Sequence, residues 1–168
     1  MKTRKLAITG LLTALAIVIP FAVFFKIIIP PFSATLGAHV PMFISMLLGP
    51  EVAIMTGIGS ALGFFLNLGP LIGARAFMHV FVGLLGGLLI KKGWSFSKTV
   101  IVTGPLHGLL EVLIVMPFIG FNVYDLLLIT GVGTFLHHLA DGFISYVIVK
   151  FLHKARVFNF ANIKHNQL

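Results

Sequence analysis

The chain has 168 residues, of which 58% are hydrophobic and 10% charged, and its mean hydropathy is +1.10. A soluble domain carries about a quarter charged residues, so this composition excludes an ordinary soluble fold. The absence of cysteine rules out disulfides, thiolate chemistry and cysteine-based zinc sites. A net charge of +8 does not indicate a nucleic-acid partner, because the basic residues sit at the ends of apolar runs and form no basic face.

Apolar runs of about 20 residues recur along the chain, as in helical integral membrane proteins. The first predicts a helix over 6–25, bent at Pro20. MKTRK ahead of it resembles the basic start of a signal peptide, but the run is long and lacks an A-x-A ending, so it is read as a span. KIIIPPFSATLGAH follows as an apolar connection. Helices are then expected over 39–49 and 51–66, parted by Gly49-Pro50-Glu51. Each is short of the ~17 residues of a straight span, which leaves two short helices, a re-entrant hairpin or one interrupted span. Longer helices are expected over 72–91, 98–118 and 124–152.

Charge arbitrates among these topologies. With the N-terminus inside and the two short runs counted separately, Lys2, Arg4, Lys5, Lys91, Lys92, Lys98, Lys150, Lys154, Arg156 and Lys164 all face the cytoplasm. Merging the runs would throw Lys91, Lys92 and Lys98 outside. The expected fold is an all-α integral membrane protein, a six-transmembrane-helix bundle with cytoplasmic N- and C-termini, forming one domain over 1–168.

Two basic residues break the pattern: Lys26 after the first helix, and Arg75 in GARAFMHV, each on the outer side. A charge at mid-membrane costs roughly 2.5–3.5 kcal/mol, so Arg75 either snorkels to the outer headgroups or has partners. His79 lies one turn deeper on the same face, Asn67 is across a short loop, and His39 begins the second helix. Four donors at one end of a bundle suit an anion, especially a carboxylate, and the positive ends of helices two, four and six point the same way. A second group, His107, Glu111, His137, His138 and Asp141, lies on helices five and six. His107 with Glu111, and His137 with Asp141, are spaced i,i+4, so the pairs either satisfy one another or hold a metal. Neither HGLLE nor HHLAD spells a metalloprotease motif.

Small residues mark packing surfaces. Ala7, Gly10 and Ala14 make a strip on the first helix, suited to packing inside the bundle or to docking a partner. Gly57, Gly59 and Gly63, then Gly83, Gly86 and Gly87, are expected to be contacts between helices within the bundle.

The stretches KLAITGLLTALAIVIP, LGAHVPMFISMLLGPEVAIMTGIGSALGFFL and GARAFMHVFVGLLGGLLIKKG resemble the S components of energy-coupling factor (ECF) vitamin transporters, of the pantothenate or niacin type. The resemblance covers the first four helices; the last two match in length, hydropathy and placement. It implies a substrate-binding membrane subunit without catalytic residues or resident cofactor. One vitamin would bind near the outer side, between the connection after helix one and helices four to six. Helix one would dock, through an A-x-x-x-A ridge, onto a transmembrane T component carrying two ATPase subunits. The matching strip here is Gly10-x-x-x-Ala14 preceded by Ala7, with glycine replacing the first alanine. No G-x-x-x-x-G-K-[ST] loop is present, so partners must hydrolyse ATP. Both candidate vitamins are carboxylates, which assigns Arg75 and His79 as the anion-recognising pair, His39 and Asn67 as neighbours, and His137 or His138 as the pocket floor. Arg75→Ala is then expected to abolish binding with expression intact. The rival is a membrane-embedded metal-dependent enzyme, or a metal-ion transport subunit, built on the cluster of helices five and six.

Overall fold

The computed structural model describes residues 2–155. Arg156 and Lys164, two of the charges used to orient the chain, lie outside the described residues. The elements in order are α1 (Lys2–Ala22), β1 (Lys26–Ile29), β2 (Phe32–Thr35), α2 (Val40–Met46), α3 (Pro50–Leu68), α4 (Pro70–Lys91), α5 (Phe96–Ile119), a π-helical stretch (Tyr124–Val132) and α6 (Gly133–Lys154). Among the described residues, five helices are long and apolar enough to cross a membrane, the π stretch and α6 counting as one.

The chain is overwhelmingly helical, as expected, but the connection after α1, expected only as an apolar link, folds as an antiparallel hairpin. Lys26 pairs with Thr35 and Ile29 with Phe32, so Pro30-Pro31 forms the turn. Two successive prolines cannot continue a helix, and the β-branched run Ile27–Ile29 fits a pleated strand. All four β1 residues are exposed, whereas β2 is largely buried. β2 therefore lies inward, over the bundle.

The expected second span, 39–49, is also shorter than anticipated. Its helix has seven residues, roughly 10 Å, and every one is buried. Gly37, at φ +81°, precedes it, and Gly49, at φ +125°, followed by Pro50, ends it. α2 is a rod inside the protein, with no face left for lipid.

Close glycine contacts define how the long helices pack. A Cβ at Gly57 would stand 2.7 Å from the Val80 amide nitrogen, and one at Gly87 would stand 2.7 Å from the Pro50 Cα. Gly59 meets Thr13 and Gly63 meets the backbone of Ile17. The two glycine triplets are thus intrabundle contacts, as the sequence indicates. The pairs Lys5–Glu51, Thr13–Gly59, Ile17–Gly63 and Pro20–Asn67 climb together, so α1 and α3 run in the same direction. Gly57–Val80 and Pro50–Gly87 run oppositely, making α3 and α4 antiparallel.

The main apolar core includes Met42, Phe43, Met46, Val82, Phe96 and Val149. It fills the end of the bundle near Lys91. Toward the hairpin the buried layer turns polar, and there the candidate residues meet.

Candidate functional site

Arg75 is 4% exposed, so it does not snorkel to headgroups. It lies one turn into α4, under the hairpin. Its Nε donates to Glu111 Oε2 at 2.8 Å, and Nη2 stands 2.6 Å from the same oxygen. Nη1 donates to the Pro31 carbonyl at 3.3 Å and to Ser33 Oγ at 3.1 Å; Nη2 also donates to the Ser33 carbonyl at 3.1 Å. A guanidinium has five N–H groups, and these five contacts use them all. Two go to Glu111 and three to the hairpin. Glu111 also accepts from Thr134 Oγ1 at 2.7 Å. Arginine and glutamate on neighbouring helices thus neutralise each other inside the bundle, which a lone buried charge would not tolerate.

Below this pair five histidines gather. Around the His39 ring, His79, His107, His137 and His138 have centroids 4.7, 4.8, 4.5 and 5.6 Å away. Asp141 on α6 anchors the chain between β2 and α2: Oδ1 accepts from the Gly37 amide at 2.7 Å, and Oδ2 accepts from the His39 amide at 3.0 Å. Oδ2 also lies 2.8 Å from His39 Nδ1 and 3.1 Å from His137 Nε2. A carboxylate only accepts, so both ring nitrogens donate to it. His137 Nε2 further reaches the Thr35 carbonyl at 3.1 Å. His79 Nδ1 shares a hydrogen bond with Ser60 Oγ at 2.8 Å. His138 Nε2 donates to the Val100 carbonyl at 3.0 Å, while its Nδ1 faces His107 Nδ1 at 3.2 Å.

Between the hairpin and this cluster is a cavity of about 30 Å³, lined by Ser33, Thr35, His39, Arg75, His79 and Glu111 among others. That volume suits about one water molecule. An aromatic or pantoyl ligand does not fit unless the hairpin lifts. Lifting it would release three N–H groups of Arg75 and enlarge the space beside them.

Of the residues singled out from sequence, Arg75, His79, His39 and His137 line this cavity. His138 lies deeper, against Thr103 and His107. Asn67 stands apart: its Nδ2 donates to the Pro20 carbonyl, tying the end of α1 to α3 rather than joining the cluster. The i,i+4 pairs are real, with His137 and Asp141 3.1 Å apart and His107 and Glu111 3.5 Å apart. Sequence reasoning gave Glu111 no link to Arg75 and gave Ser33 and Pro31 no role. The first link had a signal, since a buried arginine and a buried glutamate in neighbouring helices need each other. The hairpin contacts had none, because they depend on tertiary placement. Among the described residues, two sets of side chains bring metal-competent atoms within 4.8 Å of one another: His39, His107 and His138, and His39, His137 and Asp141.

The small strip on α1 faces outward. Ala7, Gly10 and Ala14 are all exposed, and a Cβ on Gly10 would meet nothing within 4 Å. The opposite face, with Leu12, Ala16 and Ile19, is buried against the bundle. Of the two uses the strip suits, packing within the bundle is excluded.

No family model matches the chain, and no solved structure does. Among curated proteins, the niacin transporter NiaX of Lactococcus lactis subsp. cremoris (strain MG1363) is 34% identical over 156 residues, covering 83% of this chain and 70% of the relative. That likeness runs beyond the first four helices and agrees with a helical bundle carrying several membrane-length apolar helices. The chain is a multi-pass membrane transport protein and belongs to the niacin-type S components of ECF vitamin transporters.

Proposed function

We propose that the chain binds nicotinate, the anion of niacin, beneath the hairpin and delivers it as the S component of an ECF importer. The observation that carries this reading is the saturation of Arg75 by hairpin carbonyls and a hydroxyl. Those oxygens occupy the positions a ligand carboxylate would take, and they belong to a two-stranded flap joined to the bundle by short connections. When the flap lifts, three N–H groups face the opening, in the fork geometry that suits a carboxylate. His79, His39 and His137 surround the space for the pyridine ring, with Phe64 and Ile72 as apolar walls. His138 sits behind them as floor. Asn67 acts on this site only by holding the end of α1.

Packing and charge together support one orientation. The parallel run of α1 and α3 favours a return of the chain through the short α2, and with it six traverses that bring Lys2 and Lys154 to one side. The basic residues at that side support a cytoplasmic placement of the termini and an outer placement of the hairpin. The domain assignment, one substrate-binding unit over 1–168, suits a bundle whose site draws on the hairpin, α2, α4, α5 and α6. The exposed face of Ala7, Gly10 and Ala14 is the surface for the T component, which with two ATPase subunits would supply the energy.

Calorimetry on the purified chain in detergent tests the ligand, with nicotinamide and pantothenate as comparisons. Nicotinate should bind at least tenfold more tightly than the uncharged amide, since hydrogen bonds to a charged group contribute about 1.5–3 kcal/mol. Equal affinity for nicotinamide would remove Arg75 from anion recognition, and preference for pantothenate would change the vitamin.

A further inference from the structure

We propose that His39, His107 and His138 form a resident three-histidine site for a divalent transition metal of the zinc class. The proposal does not depend on the vitamin reading; it rests on how the three rings share out their nitrogens. The Val100 carbonyl can only accept, so His138 Nε2 carries a proton and a neutral ring presents a lone pair at Nδ1. Asp141 fixes His39 in the same way, protonated at Nδ1 and free to donate electrons from Nε2. His107 Nδ1 stands 3.2 Å from His138 Nδ1. Its Nε2 is buried, makes no hydrogen bond, and faces Glu111 Oε1 from 3.5 Å.

A metal resolves this arrangement. Two nitrogens bound to zinc at ~2.0 Å in a tetrahedron lie roughly 3.3 Å apart, close to the observed separation of the two Nδ1 atoms. With His107 ligating through Nδ1, the proton moves to Nε2, which needs only a few tenths of an ångström to reach Glu111 as a donor. Each ligand then hands its outer N–H to a fixed acceptor: His39 to Asp141, His138 to the Val100 carbonyl and His107 to Glu111. Outer partners of this kind orient metal-binding histidines in known sites. One ring nitrogen from each residue already lies within 4.8 Å of the other two. Three neutral imidazoles with no thiolate select zinc, cobalt, nickel or copper over magnesium or calcium.

Charge favours a cation as well. With neutral histidines, Arg75, Glu111 and Asp141 leave the buried site at a net charge of −1, and a divalent ion brings it to +1. If nicotinate binds at Arg75 as proposed above, the loaded site then carries no net charge.

The test uses the full chain purified without a histidine tag and without any vitamin. It is stripped with chelator, loaded with Zn²⁺, freed of excess ion and assayed by mass spectrometry. We expect about one zinc per chain. Loading with Co²⁺ should give the intense visible bands of a four- or five-coordinate ion. His107→Gln and His138→Gln should each lower zinc retention at least tenfold, while His153→Gln, an exposed position, retains it. Less than a tenth of an equivalent in the parent chain would overturn the proposal, and so would equal loss in His153→Gln. If the cluster variants do not fold, the cobalt spectrum of the parent decides, a weak octahedral spectrum counting against the site. Nicotinate binding by the same samples is measured separately, so a failed metal site and a failed vitamin site give different results.

Discussion

The two ends of this bundle are held together by different physics. Near Lys91 the helices meet through glycines and large apolar side chains: Gly86 on Met46, Gly87 on Pro50, and Phe43, Phe96 and Val149 in one cluster. Near the hairpin, contact is made through Arg75, Glu111, Asp141 and a ring of histidines. Apolar contacts in lipid gain little from association itself, so close fit is what fixes the first end. The polar end is fixed by donors and acceptors that must be matched in number, and part of the match is supplied by a flap. One end is thus held by close fit, while on the function proposed here the other would exchange hairpin oxygens for ligand oxygens at nearly constant hydrogen-bond count.

The sharpest way to break that contrast is to unbalance the ion pair. Glu111→Ala leaves Arg75 buried with only hairpin acceptors and should destabilise the fold by about 3–5 kcal/mol. Arg75→Ala should do the same through the orphaned Glu111. This revises the expectation drawn from sequence, in which Arg75→Ala left expression intact. The double variant Arg75→Met with Glu111→Leu removes both charges and should recover most of the stability without restoring nicotinate binding. Denaturation in detergent read alongside calorimetry separates the two effects; a double variant as unstable as either single one would deny that the pair is self-balancing.

A change of intermediate size tests the glycine contacts. Gly63→Ala places a methyl group against the Ile17 backbone, and α1 must move away from α3. Overpacking of this kind costs about 1–3 kcal/mol. Because the contact lies outside the histidine cluster, nicotinate affinity of the folded fraction should be unchanged. A lowered melting temperature with intact affinity is the expected pair of readings.

Asp141→Asn probes the anchor beneath the flap. Asparagine keeps the shape but offers one acceptor and one NH₂ group where Asp141 accepts from two amides and two histidine rings. Amide exchange at Gly37 and His39 should rise roughly tenfold, as expected from losing about 1.5 kcal/mol of charge-assisted bonding. Unchanged exchange there would show that the segment is held by α2 packing instead.

How much of this could be read without coordinates depends on the range of the interactions. The ends of the long helices to within a few residues, the glycine contacts and the gathering of Arg75, His79 and His39 are written in local spacing and in the cost of buried charge. The hairpin was hidden because KIIIPPFSATLGAH is apolar enough to pass for a connection at the membrane surface, and its strand character rests on a pairing across Pro30-Pro31. The length of α2 was ambiguous for a similar reason: a buried rod and a lipid-facing span are equally apolar. Asn67 was misplaced because sequence proximity to Arg75 across a tight loop says nothing about facing, and its amide turns to Pro20 instead.

The smallest expected effect on the fold belongs to the outer face of α1. Ala14 is exposed and lies on the face turned away from Leu12 and Ala16, so Ala14→Trp fills no occupied space. Substitutions of that kind usually change stability by less than about 0.5 kcal/mol. Nicotinate binding by the isolated chain should therefore equal that of the parent. ATP-driven uptake by the assembled importer should fail, because small residues allow a close helix approach that an indole blocks. Since the same variant leaves the polar end untouched, any loss of uptake locates in α1 a function separate from ligand capture. Retained uptake would instead leave Ala7, Gly10 and Ala14 facing lipid, with the partner seated on another face of the bundle.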